Sequence, residues 1–559
     1  MSLYDVVVCG AGAGGMTAAL TAAHKGLSVL VCEATDQVGG TTSTSAGTLW
    51  LPGNRHGRQA GYNDSIEAGH RYLDSLIGPD DELGRRRTFL DTADEAIAFL
   101  ETHCGLAFVS SGRHPDYLEL PGAAMCGRAL SPVEFDGRRL GNDFGRVRPP
   151  IKDFLLLGGM MANKADVQAL VRRYRSWSAF LRTAQLVTRY ARDRLSYPRG
   201  TRLVMGNALI AQMLLGLRQA GVAIRFDTRL VGLEKCGNRV TSVTVESNGV
   251  PELIGARVAV VLATGGIGHS QEMRRNLDQA EFESLTPPSV RGDAISAAQN
   301  VGAVLERQAR DFLWQPVSRV PDGAGGHRLF PHLYLDRAKP GLIAVNDKGE
   351  RFVNEGASYH HFVEGMLGVS NTSTRSNFPA YLVCDSTFVD KYGIGIVPPG
   401  TKNLRAFERT GYLVTAPTIS KLADKLGINA RGLELSAAQQ SEFASQGRDL
   451  EFDKGDTAVS RFNGDSLQQG NPCLGPIQTP PFCAVRVFPA DAASCTGLKT
   501  DRDGRVLSEC NTPIDGLYAC GNDMASVMQG TYPGPGATLG PAIVFGYRIG
   551  MHAHVRASV

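Results

Sequence analysis

The stretch YDVVVCGAGAGGMTAALTAAHKGLSVLVCEA, Tyr4 to Ala34, decides the fold. Asp5 to Cys9 is a short β-branched run of strand type. Gly10, Gly12 and Gly15 follow at GxGxxG spacing, and then an alanine-rich helix. A second strand, Ser28 to Cys32, ends at Glu33, an acid 18 residues beyond Gly15. Each part has a mechanical reason. Gly10 makes the tight turn, Gly12 lets the backbone approach a pyrophosphate, and Gly15 lets helix and strand pack closely. The helix N-terminus favours phosphate charge, and Glu33 suits the ribose hydroxyls. Strand, glycine turn, helix, strand and acid together predict an α/β dinucleotide-binding unit.

The segment after it selects the dinucleotide. DQVGGTTSTSAGTLWLPGN, Asp36 to Asn54, sets Gly39 and Gly40 before Thr41, Thr42 and Ser43. That run offers backbone and hydroxyl donors near a second phosphate, for which a simple NAD domain has no use. FAD is therefore the expected cofactor. ARVAVVLATGGIG, Ala256 to Gly268, is an apolar strand that stops at Ala263, Thr264, Gly265 and Gly266, placed to run beside the nucleotide. Upstream of it, the Val231 backbone is a candidate contact for adenine. IDGLYACGNDMAS, Ile514 to Ser526, brings a strand to Gly521 and Asn522, where Asn522 is expected to bond the ribityl chain.

QGTYPGPGATLGPAIVFGYRIG, Gln529 to Gly550, puts Tyr532 on a turn of glycine and proline and then starts a helix near Leu539. Pro541 suits a first helical turn, where its missing N–H is not needed. The positive end of that helix is expected to face the flavin.

The 559 residues carry 58 Lys and Arg against 55 Asp and Glu, a net charge of +3, which excludes a nucleic-acid partner held by bulk charge. The 11 cysteines include no CxxC pair, so neither a zinc site nor a disulfide frame is expected. No apolar run is long enough for an integral membrane segment. A cytoplasmic, soluble protein is the expectation. His360 and His361 are adjacent, lack a supporting carboxylate or Cys spacing, and are not read as metal ligands.

Together, the Gly10–Gly12–Gly15 turn with Glu33, GGTTSTSAGTLWLP, ATGG, GERFVNEGASY and TYPGPGATLGPA resemble the fumarate-reductase-like flavoproteins, and among them most the 3-ketosteroid Δ1-dehydrogenases and relatives acting on other cyclic ketones. The resemblance spans nearly the whole chain. It implies a Rossmann-like FAD-binding domain in two parts, 1–280 and 485–559, with an inserted α+β catalytic domain, 281–484.

It also implies a chemistry. A cyclic ketone loses a proton alpha to its carbonyl and a hydride from the next carbon to flavin N5. Tyr532 and the Gly536 N–H would hold the ketone oxygen, Tyr359 would be the base, and Tyr117 would assist it. An external acceptor (oxygen, a quinone or a dye) would reoxidise the flavin. A tyrosine base implies an alkaline optimum, since a free phenol titrates near 10. The leading substrate is a 3-ketosteroid. The alternatives are cyclohexanone or 4-oxocyclohexanecarboxylate, the latter with Arg405 as a candidate clamp, and the reverse reaction of a fumarate-reductase-like ene-reductase.

Three further expectations concern the surroundings. Arg351 and Glu355 are expected to form a structural pair. Gly356 and the Phe482–Cys483 step depart from the family pattern and are placed near the substrate. Arg173 to Leu195 reads as a helix with Trp177, Phe180 and Leu181 on one face, to roof the cavity or pack on the first domain.

Overall fold

The computed structural model describes residues 2–172, 176–333, 336–368 and 377–558. Its organising feature is an eight-stranded sheet whose centre is the strand Ser2–Cys9. That strand runs parallel to Val250–Leu262 on one side and Val29–Cys32 on the other. Cys9 lies opposite Leu262 and Cys32, so all three strands stop at one edge. Val6, Val7 and Val8 are buried whichever face they point to, as a sheet covered on both sides requires. The helix Ala13–His24 leaves the edge through the glycine turn and packs against the helix Leu539–Ala557. The strand Pro513–Ala519 joins Val250–Leu262 in parallel, Leu262 opposite Ala519. Distant parts of the chain thus complete one sheet.

A second, seven-stranded sheet is almost wholly antiparallel. Its spine is Phe482–Ser494, which pairs with Phe312–Pro321 on one side and with Ala380–Cys384 on the other. The spine is one continuous strand that carries the second sheet ten residues past Ala484, so the expected return to the first domain at 485 falls inside it. The helices Ile419–Leu426 and Ala430–Gln446 cover this unit.

A three-stranded patch, Leu49–Trp50, Ala129–Pro132 and Phe108–Ser110, lies beside the glycine-proline turn. No helix among the described residues is long and apolar enough to cross a membrane.

The expected helix after residue 172 runs over Trp177–Asp193, and its start at 173–175 lies outside the described residues. Its apolar face corrects the reading above. Ala179 and Leu186 are the buried positions, whereas Trp177 is 73% exposed and stacks on the exposed Phe180. Trp177, Phe180 and Leu181 are exposed and do not pack on the first domain.

Candidate active site

The edge where the central strands stop forms a cradle. Gly10 and Gly15 are hemmed in by protein: a Cβ on Gly10 would stand 2.2 Å from the Ala263 carbonyl, and one on Gly15 2.1 Å from the Gly10 carbonyl. Gly12 differs. A Cβ there meets nothing within 4 Å, so its bareness serves something other than packing. Glu33 is buried, and its carboxylate accepts the Ala11 and Thr35 amides at 3.0 Å each. Burial raises its pKa above the ordinary carboxylate value. Two bonded oxygens still leave lone pairs for ribose hydroxyls.

Thr42 Oγ1 accepts the Ala13 amide at the start of the helix, and the buried Ser43 Oγ and Arg148 Nε have no partner among the described residues. An open glycine, orphaned polar atoms and a helix N-terminus without an acid fit a diphosphate. Thr264 and Gly266 are pinned by Asp523, which takes the Gly266 amide at 2.7 Å and the Thr264 hydroxyl at 2.9 Å. Burial pushes the Asp523 carboxyl up to about 6, against the pull of those donors.

Three phenols meet next to the cradle. Tyr117, Tyr359 and Tyr532 share one buried cluster with Leu313, Leu333, Val459, Ala493 and Cys495. The Tyr359 hydroxyl donates to the Tyr532 oxygen at 2.6 Å. Tyr117 stacks on Tyr532, rings 5.5 Å apart and 14° from parallel, and meets Tyr359 edge-on at 6.0 Å. The Gly536 N–H also acts on the Tyr532 phenol oxygen, favouring its ionised form, yet burial and the neighbouring Tyr359 leave that phenol well above its ordinary pKa of 10. Tyr532 is thus a protonated donor at neutral pH.

Each phenol is held by a different device. Tyr359 opens the helix Tyr359–Met366, capped by Ser358, whose hydroxyl accepts from the His361 amide. The turn before it is held by Arg337, which donates to the Glu355, Ala357 and Leu333 carbonyls. Below it, Arg351 binds Glu355 and Asp449 bidentately, as the expected structural pair and more. Tyr532 sits on a turn whose Pro533 carbonyl accepts the Tyr117 amide at 2.9 Å and the Tyr72 hydroxyl at 2.8 Å. Gly536 has φ +94°, and a Cβ there would stand 2.2 Å from the Thr48 carbonyl.

A family model described as an FAD binding domain matches residues 5–539. A 3-oxosteroid 1-dehydrogenase of Mycolicibacterium smegmatis is 35% identical over 97% of this chain and 96% of its own length. A 4-oxocyclohex-2-ene-1-carboxylate 5-dehydrogenase of Sinomonas cyclohexanicum is also 35% identical, over 98% of this chain and 93% of its own. The crystal structure of a 3-ketosteroid Δ1-dehydrogenase from Sterolibacterium denitrificans, in complex with 1,4-androstadiene-3,17-dione, superposes with a TM-score of 0.91 at 35% identity, covering 99% of this chain and all of that one. This chain belongs to the 3-ketosteroid Δ1-dehydrogenase family. It is an FAD-dependent oxidoreductase with the family's fold.

Within that family frame, Gly10, Gly12, Gly15, Glu33, Gly39 to Ser43 and Ala263 to Gly265 surround the cradle edge. Gly521, Asn522, Thr538, Pro541 and Phe545 line one small cavity with Ser494 and Ala537, adjoining Leu539 at the helix start. Val231 lies on the strand Arg229–Cys236, half exposed, just after the Phe226–Thr228 link that hydrogen-bonds Glu33 and Thr35.

Other expectations need correction. Phe482 and Cys483 pack in the core of the second unit, away from the phenols, because they open its central strand. Arg405 is exposed on a short helix and takes no part in the cluster. His360 Nδ1 accepts the Trp314 amide and His361 Nδ1 meets the Ser358 hydroxyl, while Nε2 of each lies within 4.0 Å of the Glu364 carboxylate.

The sequence reading missed Asp523, Arg337 and the residues under the turn, Trp50, Tyr72, Asp116 and Arg128. The signal for Asp116 was its place directly before Tyr117.

Proposed function

We propose that this protein desaturates a cyclic ketone next to its carbonyl, with a 3-ketosteroid as substrate. The observation that carries this reading is the meeting of Tyr117, Tyr359 and Tyr532 in one buried apolar cluster, with the Gly536 N–H on the Tyr532 oxygen. A proton alpha to a ketone is weakly acidic, so two fixed donors on the carbonyl oxygen stabilise the enolate that forms. Tyr532 and the Gly536 N–H supply those donors. Their present mutual contact marks the place where a ketone oxygen would insert. Tyr359, at hydrogen-bond distance from Tyr532, takes the alpha proton on its phenol oxygen after it has itself ionised to the phenolate, the form able to accept it. Tyr117, stacked on one ring and edge-on to the other, fixes their relative angle. FAD, when bound, would supply the hydride acceptor for the carbon next to the alpha position, and an external electron acceptor would reoxidise it.

The cluster's other described members, Leu313, Leu333, Val459, Ala493 and Cys495, carry no charge. A neutral fused ring suits them, whereas a carboxylated ring would leave its charge unpaired. The relative from Sinomonas cyclohexanicum supports a small carboxylated ring as the second reading.

Anaerobic mixing separates the two. Holoenzyme mixed with androstenedione should lose its flavin absorbance rapidly, and cyclohexanone or 4-oxocyclohexanecarboxylate should act far more slowly. Fast bleaching by a small ring alone keeps the chemistry and moves the substrate. No bleaching by any ketone overturns the reading.

A further inference from the structure

The Tyr532 turn rests on a buried charged cluster that takes no part in the chemistry above. Asp116 accepts the Trp50 indole N–H on Oδ1 at 2.7 Å and both Arg128 (2.6 Å) and the Ala124 amide (2.9 Å) on Oδ2. Arg128 reaches on to Asp64 with Nε and NH2, at 3.1 and 3.0 Å, and donates to the Gly122 carbonyl. The side chains of Asp64, Asp116 and Arg128 are 4%, 2% and 1% exposed. The guanidinium also lies over the rings of Trp50 and Tyr72.

Four links tie this cluster to the phenols. Asp116 precedes Tyr117, whose amide bonds the Pro533 carbonyl next to Tyr532. Tyr72, under Arg128, bonds the same carbonyl. Gly534 has no Cβ because the space is filled: one there would stand 2.6 Å from the Trp50 indole and 3.0 Å from Asp116 Oδ1. The Trp50 amide, moreover, bonds the Gly536 carbonyl at 3.2 Å.

We infer that Asp116 is a positioning residue for the reaction: by fixing the Trp50 indole beneath Gly534 while anchoring Tyr117, it sets the spacing of Tyr117, Tyr532 and the Gly536 N–H. This rests on the reading of the phenols given above. Its carboxylate is the one group that satisfies three donors there. An asparagine has a single acceptor oxygen and a donor amide. With the oxygen towards Arg128 and Ala124, the amide faces the indole N–H, donor against donor, and the indole shifts under the turn. A displacement on the order of 1 Å at a reacting group costs about 100-fold in rate.

The test compares Asp116→Asn, Trp50→Phe, the double variant and Tyr532→Phe as FAD holoenzymes, all rates taken per bound flavin. The probe is androstenedione, or the small ring ketone if that is what bleaches the wild-type flavin. Anaerobic exchange of the ketone's alpha hydrogens in deuterium oxide reports the enolate step, and KM and kcat come from turnover. For Asp116→Asn we expect exchange and kcat to fall about 10- to 100-fold together with KM within about two-fold, the mark of an interaction needed in the transition state. Trp50→Phe should fall in the same direction, and the double variant should be no worse than the weaker single, because both act through one contact.

Exchange and kcat at wild-type levels in Asp116→Asn overturn the inference, as do strictly additive losses. If Asp116→Asn does not fold, Trp50→Phe decides, and unchanged exchange in that variant overturns it. If Tyr532→Phe is as active as wild type, the reading of the phenols fails, a result distinct from failure at Asp116.

Discussion

The Tyr359 hydroxyl stands 2.6 Å from that of Tyr532, across 173 residues of chain. The two phenols come from different units, and neither could be placed against the other by local structure alone. Their environments give them different tasks. Burial, with the adjacent Tyr359, holds Tyr532 in its protonated form. A residue that cannot easily lose its proton suits the carbonyl oxygen, which needs a donor.

Tyr532→Phe should therefore keep its flavin and lose about 10²–10³ in kcat, the usual effect of removing one oxyanion donor. Tyr359→Phe should lose about 10²–10⁴, as expected for a general base. Stopped-flow bleaching of the flavin by the ketone measures both. Because Tyr532 remains a donor, the wild-type rate should climb on the alkaline side without a falling limb below about pH 10, where an unperturbed phenol would ionise. A descending limb between pH 7 and 9 would contradict that assignment.

Gly12→Ala separates ligand binding from folding. Its new methyl meets no protein atom, so melting of the apoprotein should match wild type. Retention of FAD through gel filtration should fall sharply, because the methyl occupies the approach of the pyrophosphate. Gly15→Ala should behave differently. Its methyl collides with the Gly10 carbonyl, and the apoprotein itself should be destabilised by about 1–3 kcal/mol, as in overpacked interiors. Equal flavin affinity in Gly12→Ala and wild type would show that Gly12 does not face the pyrophosphate.

How much of this was legible follows from what each motif constrains. The Gly10–Gly12–Gly15 turn, the Ala263–Gly266 loop and the Tyr532–Gly536 turn are backbone devices, fixed by residues next to one another, so sequence spacing shows them. Asp64, Asp116 and Arg128 meet only because three short strands fold the chain back under the turn, and no local pattern announces that. The helix Trp177–Asp193 makes the same point from the other side. Periodicity revealed where its apolar residues lie, but not that Trp177, Phe180 and Leu181 would face outward. Phe482 and Cys483 were misplaced because a β-branched and aromatic run tells of a strand and not of which sheet receives it.

Gly536→Ala should be among the most damaging single-methyl changes in the protein. The backbone is left-handed there, and the Cβ would overlap the Thr48 carbonyl. Either the turn or the strand Leu49–Trp50 must move, and with it the N–H aimed at the Tyr532 oxygen. Turnover should drop at least as far as in Tyr532→Phe, and affinity for a phenolic steroid that mimics the enolate should fall with it. A variant with wild-type turnover would remove Gly536 from the oxygen site.

His360 should set the upper edge of acid instability. It is buried beside Tyr532, with ring centroids 6.0 Å apart, and its Nδ1 accepts the Trp314 amide, which an imidazolium could not do. Burial first, then His361 and Arg310, lowers its pKa from 6.5 to about 3, with the Gly530 carbonyl opposing. Between those values the unfolded chain binds the proton and the folded one does not, so stability falls as pH drops from 6.5 towards 3. Glu355 acts in the same direction at lower pH: although burial raises its pKa, Arg351 and Lys454 hold it near 2 against an ordinary 4.5, so its contribution is lost only below that ordinary value. His360→Gln keeps an acceptor for Trp314 and has no proton to take up. Its denaturant midpoint should decline less steeply than the wild-type midpoint between pH 6.5 and 4.5, the remaining slope belonging to His361, His24 and His552, whose pKa values burial also lowers. Parallel slopes for the two proteins across that interval would show that His360 is not the residue responsible.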